Sequence, residues 1–177
     1  MSAPSPTGNF TPCSIIDIAA VLGQHLQTFG VCAPSQFVVT CLPPEDVPHT
    51  TGDFDVLFVI GGETPDVKVI DGAGRNVNLR TREITLVARS RVLLDPVGSD
   101  QLAMLDVGTG HVQLEDSICN ACEIYWPMDE AGNPLAVQPI RLGRLAKARK
   151  EKQHPEWIYS EWEVSVPYIR QLSSSIS

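Results

Sequence analysis

The sequence predicts an α+β fold, with a central, mostly antiparallel sheet of about four to five strands packed with two main helices. Three observations lead there. Apolar residues recur at helical spacing in two separate stretches, residues 14–29 and 113–125. Residues 54–60 (FDVLFVI) are almost continuously apolar and rich in β-branched side chains, as a central strand covered on both faces is. Two later stretches, 83–94 and 156–169, alternate apolar and polar residues, as strands with one face on a core do.

The elements follow in chain order. Residues 1–13 read as an N-terminal arm rich in Pro and Ser, without the basic and apolar regions of a secretory signal. Residues 14–170 form a single domain, and the Ser-rich residues 171–177 a C-terminal tail. In the first helix Ser14 can cap the N-terminus, with Asp17 three residues on. Ile15, Ile18, Ala19, Leu22 and Leu26 form its apolar stripe, and Gly30 its stop. Residues 36–42 are a short strand ended by Pro43 and Pro44, and 46–53 a polar loop. Residues 67–70 and 76–79 flank Asp71-Gly-Ala-Gly74, the composition of a β-hairpin, or of a loop that orders on assembly.

In 83–94, Ile84, Leu86 and Ala88 share one face, and Thr85, Val87, Arg89 and Arg91 the other, which the pattern makes half-solvated. Residues 99–107 fit a short helix or a strand. The second helix, 113–125, turns Leu114, Ile118, Ala121 and Ile124 or Tyr125 inward, and Trp126-Pro127 ends it. Residues 128–139 are a loop, and the basic stretch 140–152 is expected to be helical despite Gly143. In the last strand Trp162, Val164, Val166 and Tyr168 share a face opposite Glu161, Glu163 and Ser165. Pro167 marks an edge or a strand end, because proline lacks the donor a central strand needs.

Composition narrows the function. A net charge of −8 and a pI near 4.9 disfavour a general nucleic-acid or anionic-membrane binder, which needs a positive face. No apolar run approaches the roughly 20 residues that span a bilayer. Five cysteines without a secretory signal imply reduced thiols. Cys119-Asn-Ala-Cys122 has the spacing of a redox pair. It lies well inside the second helix, however, and lacks the helix N-terminus that lowers a thiol pKa. Asp71-Gly-Ala-Gly74 lacks the third glycine of a dinucleotide loop, and Gly108-Thr-Gly-His111 reads as a turn. His25, His49, His111 and His154 are isolated in sequence, and Asp53 with Asp55 reads as a solvated pair. No catalytic, cofactor or metal residues are assigned.

Charge segregation is the least ordinary feature. Residues 141–152 carry six positive charges and one negative, +5 in all, which leaves −13 on the remaining 165 residues. Such a strip suits docking on an acidic partner or on another copy of this acidic chain.

The order of elements resembles that of the tail terminator proteins of long-tailed bacteriophages. The resemblance rests on 14–29 as leading helix, 54–60 with 83–94 as central strands, 114–125 as the helix between, and 157–168 (WIYSEWEVSVPY) as closing strand. Residues 43–51 and 128–139 are extra relative to the smallest members. The resemblance implies a non-enzymatic virion protein made in the host cytoplasm and needing no cofactor. It would form a homohexameric ring that caps the tail tube at its head-proximal end and meets a neck or stopper protein. DNA would only pass through its lumen, and no membrane is involved.

On that reading, residues 62–82 form an inter-subunit loop, and edge strands add across subunits. Arg75, Arg80 and Arg82 on that loop, and Arg141, Arg144 and Lys147 on the basic strip, are the expected interface residues. The alternatives are another neck or head-completion protein, a small thiol enzyme using Cys119 or Cys122, and an adaptor with a pocket lined by Trp157, Tyr159 and Trp162.

Overall fold

A computed structural model describes residues 10–70, 74–91, 110–143 and 156–170, and the backbone of 149–150. Two helices, α1 (Ile15–Thr28) and α2 (His111–Cys122), pack on one face of a mixed sheet. The strands are β1 (Phe37–Thr40), β2 (Phe54–Glu63), β3 (Val67–Ile70), β4 (Asn76–Arg91), β5 (Arg149–Lys150) and β6 (Trp157–Ile169). Five of them run in the order β1-β2-β4-β6-β5, and β3 lies beside the start of β4. Among the described strand pairs, only β1–β2 is parallel. The expected α+β arrangement is present.

Local chemistry fixes both ends of α1. The Ser14 hydroxyl accepts the Asp17 N–H at 3.3 Å, and the Asp17 carboxylate accepts the Ser14 N–H at 2.8 Å, a reciprocal capping box. At the other end the Val31 N–H reaches the Leu26 carbonyl and the Gly30 N–H the Gln27 carbonyl, both at 2.9 Å. That is a Schellman motif, and it needs the left-handed conformation of Gly30 (φ 72°). Ile15, Ile18, Ala19, Leu22 and Leu26 are all buried. His25 stacks on Tyr125 with ring centroids 3.8 Å apart and bonds the Ala121 carbonyl at 2.7 Å, which joins α1 to the end of α2.

The core lies between these helices and the sheet. Val56 and Phe58 of β2 stand opposite Ala88 and Leu86 of β4, which in turn neighbour Ser160 and Trp162 of β6. Trp162, Phe58, Leu86 and Ile118 are almost wholly removed from water. Each side chain of that size contributes roughly 1.5–3 kcal/mol on burial.

Several expectations are corrected. Val87 and Arg89 are buried, because residues 43–50 fold back over that face and place Val47 against Leu57 and Val87. Asp55 is also fully buried rather than solvated. β4 runs unbroken from Asn76, so Arg80 and Arg82 sit in a strand rather than in a loop. α2 starts two residues early and stops at Cys122, leaving Ile124 turned outward at 45% exposure. Residues 140–152 are not one helix: Ile140 bridges to Tyr125, Gly143 bonds Glu163, and Arg149–Lys150 is a strand. Tertiary hydrogen bonds there override the local helical spacing.

Arg144 and Lys147, residues 1–9 of the arm, the tail 171–177 and residues 99–107 lie outside the described residues. Cys13, at the end of the arm, is buried and bridges to Arg170.

Pro167 sits where its chemistry allows. β6 pairs with β4 along one side, while the Pro167 carbonyl accepts the Val137 N–H on the other at 2.8 Å. The N–H and C=O of one strand residue point the same way, so the donor that proline lacks falls on the outer edge. Gly143 and Cys13 donate to the Glu163 and Ile169 carbonyls along that edge.

Candidate functional site

β4 is 16 residues long, or about 50 Å at the rise of an extended strand. The sheet is wide over only part of that length. β6 accompanies β4 as far as Leu79, and the Arg170 N–H still reaches the Asn78 carbonyl at 3.0 Å. Beyond that point β3 and β4 continue as a two-stranded hairpin, Val67 opposite Leu79 and Ile70 opposite Asn76, with Gly74 at φ 77° in the connection. Val67 and Ile70 are 57% and 72% exposed, although both are apolar and β-branched.

A charged cluster anchors this arm. Arg80 binds Glu63 at 2.8 Å and Asp66 at 2.5 Å. Arg82 binds Glu63 at 3.1 Å and donates to the Gly61 carbonyl at 3.1 Å. Arg170 reaches Asp66 at 3.3 Å, and the Tyr168 hydroxyl donates to Glu63 at 3.3 Å. The hydrogen bond from Arg80 is the main cause holding the Asp66 carboxyl below its ordinary pKa, and Arg170 adds to it. Arg80 and Arg82 thus direct their guanidiniums at carboxylates of their own chain and fix the arm's direction. Arg75 is exposed where the hairpin re-enters β4. The hairpin was legible as composition, but the exposure of Val67 and Ile70 and the intrachain partners of Arg80 and Arg82 were not.

Arg141 lies at the other side of the sheet, on the rim of a cleft of about 750 Å³ between the end of α2 and residues 141–143. It is exposed and makes no ion pair among the described residues. Trp162 forms part of the lining, and Cys119 and Cys122 line it from α2. Both thiols lie in the last turns of that helix, where the dipole opposes a thiolate. Burial pushes Cys122 up to about 12. Burial, then the Asp116 and Glu115 carboxylates, raise Cys119, against an opposing hydrogen bond from Trp162. These environments protonate the thiols, the reverse of what a redox pair needs.

A buried polar chain went unread in the sequence. His111 Nδ1 lies 2.7 Å from the Ser90 hydroxyl and Nε2 lies 2.8 Å from the Ser160 hydroxyl, which itself donates to Glu115. The pattern assigns the imidazole tautomer: Ser90 donates to Nδ1, and Nε2–H donates to Ser160. Burial pushes the His111 pKa down to about 4, so the ring is neutral near pH 7. The order resembles a serine relay, but Ser90 and Ser160 are 7% and 1% exposed, so its hydroxyls face inward. The chain fastens the first turn of α2 to β4 and β6, where Gly110 supplies no side-chain cap.

Among the described residues, no group of three or more His, Cys, Asp or Glu side chains is placed to hold a metal ion, and no helix is long and apolar enough to cross a membrane. The chain matches no protein-family model and no curated protein.

Proposed function

We propose that this chain is a ring-forming structural protein of a virus particle. It is a tail terminator, capping the tail tube of a long-tailed bacteriophage at its head-proximal end and joining the tail to the neck. The observation that carries this reading is the hairpin arm. A two-stranded hairpin is marginally stable by itself in water. Here one projects past the core, held in direction by Arg80, Arg82, Glu63 and Asp66 and carrying exposed Val67 and Ile70. A neighbouring subunit gives those residues a surface to cover them. The resemblance of the element order to that of tail terminators supports the finer identification.

The mechanism is assembly. A tube subunit polymerises through two complementary faces. A terminator offers one tube-like face and a different opposite face, so addition stops and the neck or stopper protein binds instead. A homohexamer built this way leaves a lumen through which DNA passes.

Mass measurement of the purified chain, alone and mixed with tail-tube subunits, tests the reading. A closed ring that binds the end of preformed tubes and halts their growth is expected. A chain that stays monomeric in both conditions overturns it.

A further inference from the structure

We propose that the cleft beside β6 receives residues 41–46 of a second copy of this chain, so that subunits join head to tail across opposite edges of the sheet. The proposal rests on the ring-forming reading above and names the surfaces that would build the ring.

The topology places the two surfaces correctly. β1 is one edge of the sheet, and the turn that carries Cys41 and Leu42 leaves it directly. The cleft lies at the opposite edge, beyond β6, where Gly143 bonds the Glu163 carbonyl. A contact between two different patches at opposite ends of one subunit is heterologous, and heterologous contacts form a ring when the rotation between neighbours closes and an open filament when it does not.

The chemistry of the two surfaces is complementary. The cleft offers an apolar lining from the half-buried Leu142 and the 45% exposed Ile124 over the buried Trp162, and it carries both the Arg141 guanidinium and the exposed Glu123 carboxylate. Residues 41–46 offer Leu42, 54% exposed, followed by the exposed carboxylates Glu45 and Asp46. Arg141, Glu45 and Asp46 have no ion-pair partner among the described residues. The exposed leucine suits the apolar lining, and the acids that follow it suit Arg141.

Ile124 supplies an independent sign. It stands at φ 58°, a left-handed conformation that a β-branched residue adopts only under strain. Strain of this kind gathers at binding sites. Here it turns an isoleucine outward into the cleft.

The native cysteines provide the experiment. Cys13, Cys32 and Cys122 are buried, whereas Cys41 and Cys119 are exposed, one on each proposed surface. Assembled full-length protein is treated with a short bismaleimide and run on a denaturing gel. A ladder of cross-linked species is expected, lost in both Cys41→Ser and Cys119→Ser. In parallel, Arg141→Glu is expected to weaken assembly by about ten-fold or more, and adding Glu45→Arg with Asp46→Arg to restore it. The exposure of all three sites keeps these variants folded, which far-UV circular dichroism checks. An assembled protein that gives no ladder, or dimers that persist in one cysteine variant, overturns the head-to-tail joint. So does Arg141→Glu assembling like the parent. In those cases the ring-forming reading stands; a chain that never assembles removes both.

Discussion

The Arg89 guanidinium and the Asp55 carboxylate form a bidentate pair inside the protein, Nε to Oδ1 at 2.7 Å and Nη2 to Oδ2 at 2.8 Å. Both side chains are at most 1% exposed. The remaining Arg89 donors reach the carbonyls of Pro44, Val47 and Pro48. Asp55 also accepts the Thr50 N–H at 3.2 Å. One arginine therefore clamps the 43–50 segment onto the sheet.

Breaking this pair from one side leaves a charge buried without a partner. Arg89→Met is expected to lower stability by about 3–5 kcal/mol. The double variant Arg89→Met with Asp55→Leu should recover a large part of that loss, because no orphaned charge remains. Urea unfolding of the parent and the variants measures both. A single-variant loss below about 1 kcal/mol would show the clamp to be a surface pair in its energetics.

That clamp also marks where the sequence stopped being informative. The α1 stripe from Ile15 to Leu26 was legible because helical spacing, capping box and Schellman glycine all act within a few residues. The alternation in β4 and β6 was legible for the same reason, and it placed Ile84, Leu86, Trp162 and Val164 correctly. The burial of Asp55, Val87 and Arg89 depends on a segment more than thirty positions from Arg89, and no local pattern reports that. The start of α2 was missed because Gly110 gives no side-chain cap and His111 looks solvent-facing until Ser90 and Ser160 surround it. Of the arginines expected at an interface, Arg80 and Arg82 lie in β4 rather than in the expected loop, and Arg141 lies outside any helix. That the charge of Arg80 is engaged, while Arg141 has no ion pair among the described residues, depends on neighbours distant in sequence.

His111 makes stability depend on pH in a stated direction. Its folded pKa, about 4, lies below the ordinary imidazole value of 6.5. Between those values the unfolded chain binds a proton that the folded chain excludes, so acid favours unfolding. The contribution is complete above about pH 6.5 and lost progressively down to about pH 4, reaching roughly 3 kcal/mol at most. Denaturant midpoints at pH 7 and pH 4.5 should separate more in the parent than in His111→Gln. Equal separations would mean that His111 titrates as an ordinary exposed histidine.

Ile124 holds its left-handed backbone at a cost that asparagine largely avoids. Ile124→Asn is expected to stabilise the monomer by roughly 0.5–1 kcal/mol, net of the apolar contact it gives up. If the cleft receives a neighbour, the same variant should weaken assembly. A rise in melting temperature together with a fall in oligomer fraction is the expected outcome. A fall in both would mean that the isoleucine packs in the monomer more tightly than its exposure indicates.

The arm gives the sharpest separation between folding and assembly. Val67 and Ile70 are 57% and 72% exposed, so replacing both with Asp removes little buried surface and should change monomer stability by within about 0.5 kcal/mol. The same change puts two charges where a neighbouring subunit would bury two apolar side chains, and ring formation should be lost. Arg80→Ala acts by another route: it leaves the arm's apolar residues intact and removes the one cation that bridges Glu63 and Asp66, leaving Arg82 on the first and Arg170 on the second. Its rings should therefore form more weakly, and recover at higher protein concentration, whereas the double Asp variant should stay monomeric throughout. Sedimentation over a concentration series distinguishes the two. If the Asp variant assembled like the parent, the exposed face of the hairpin would have no role in joining subunits.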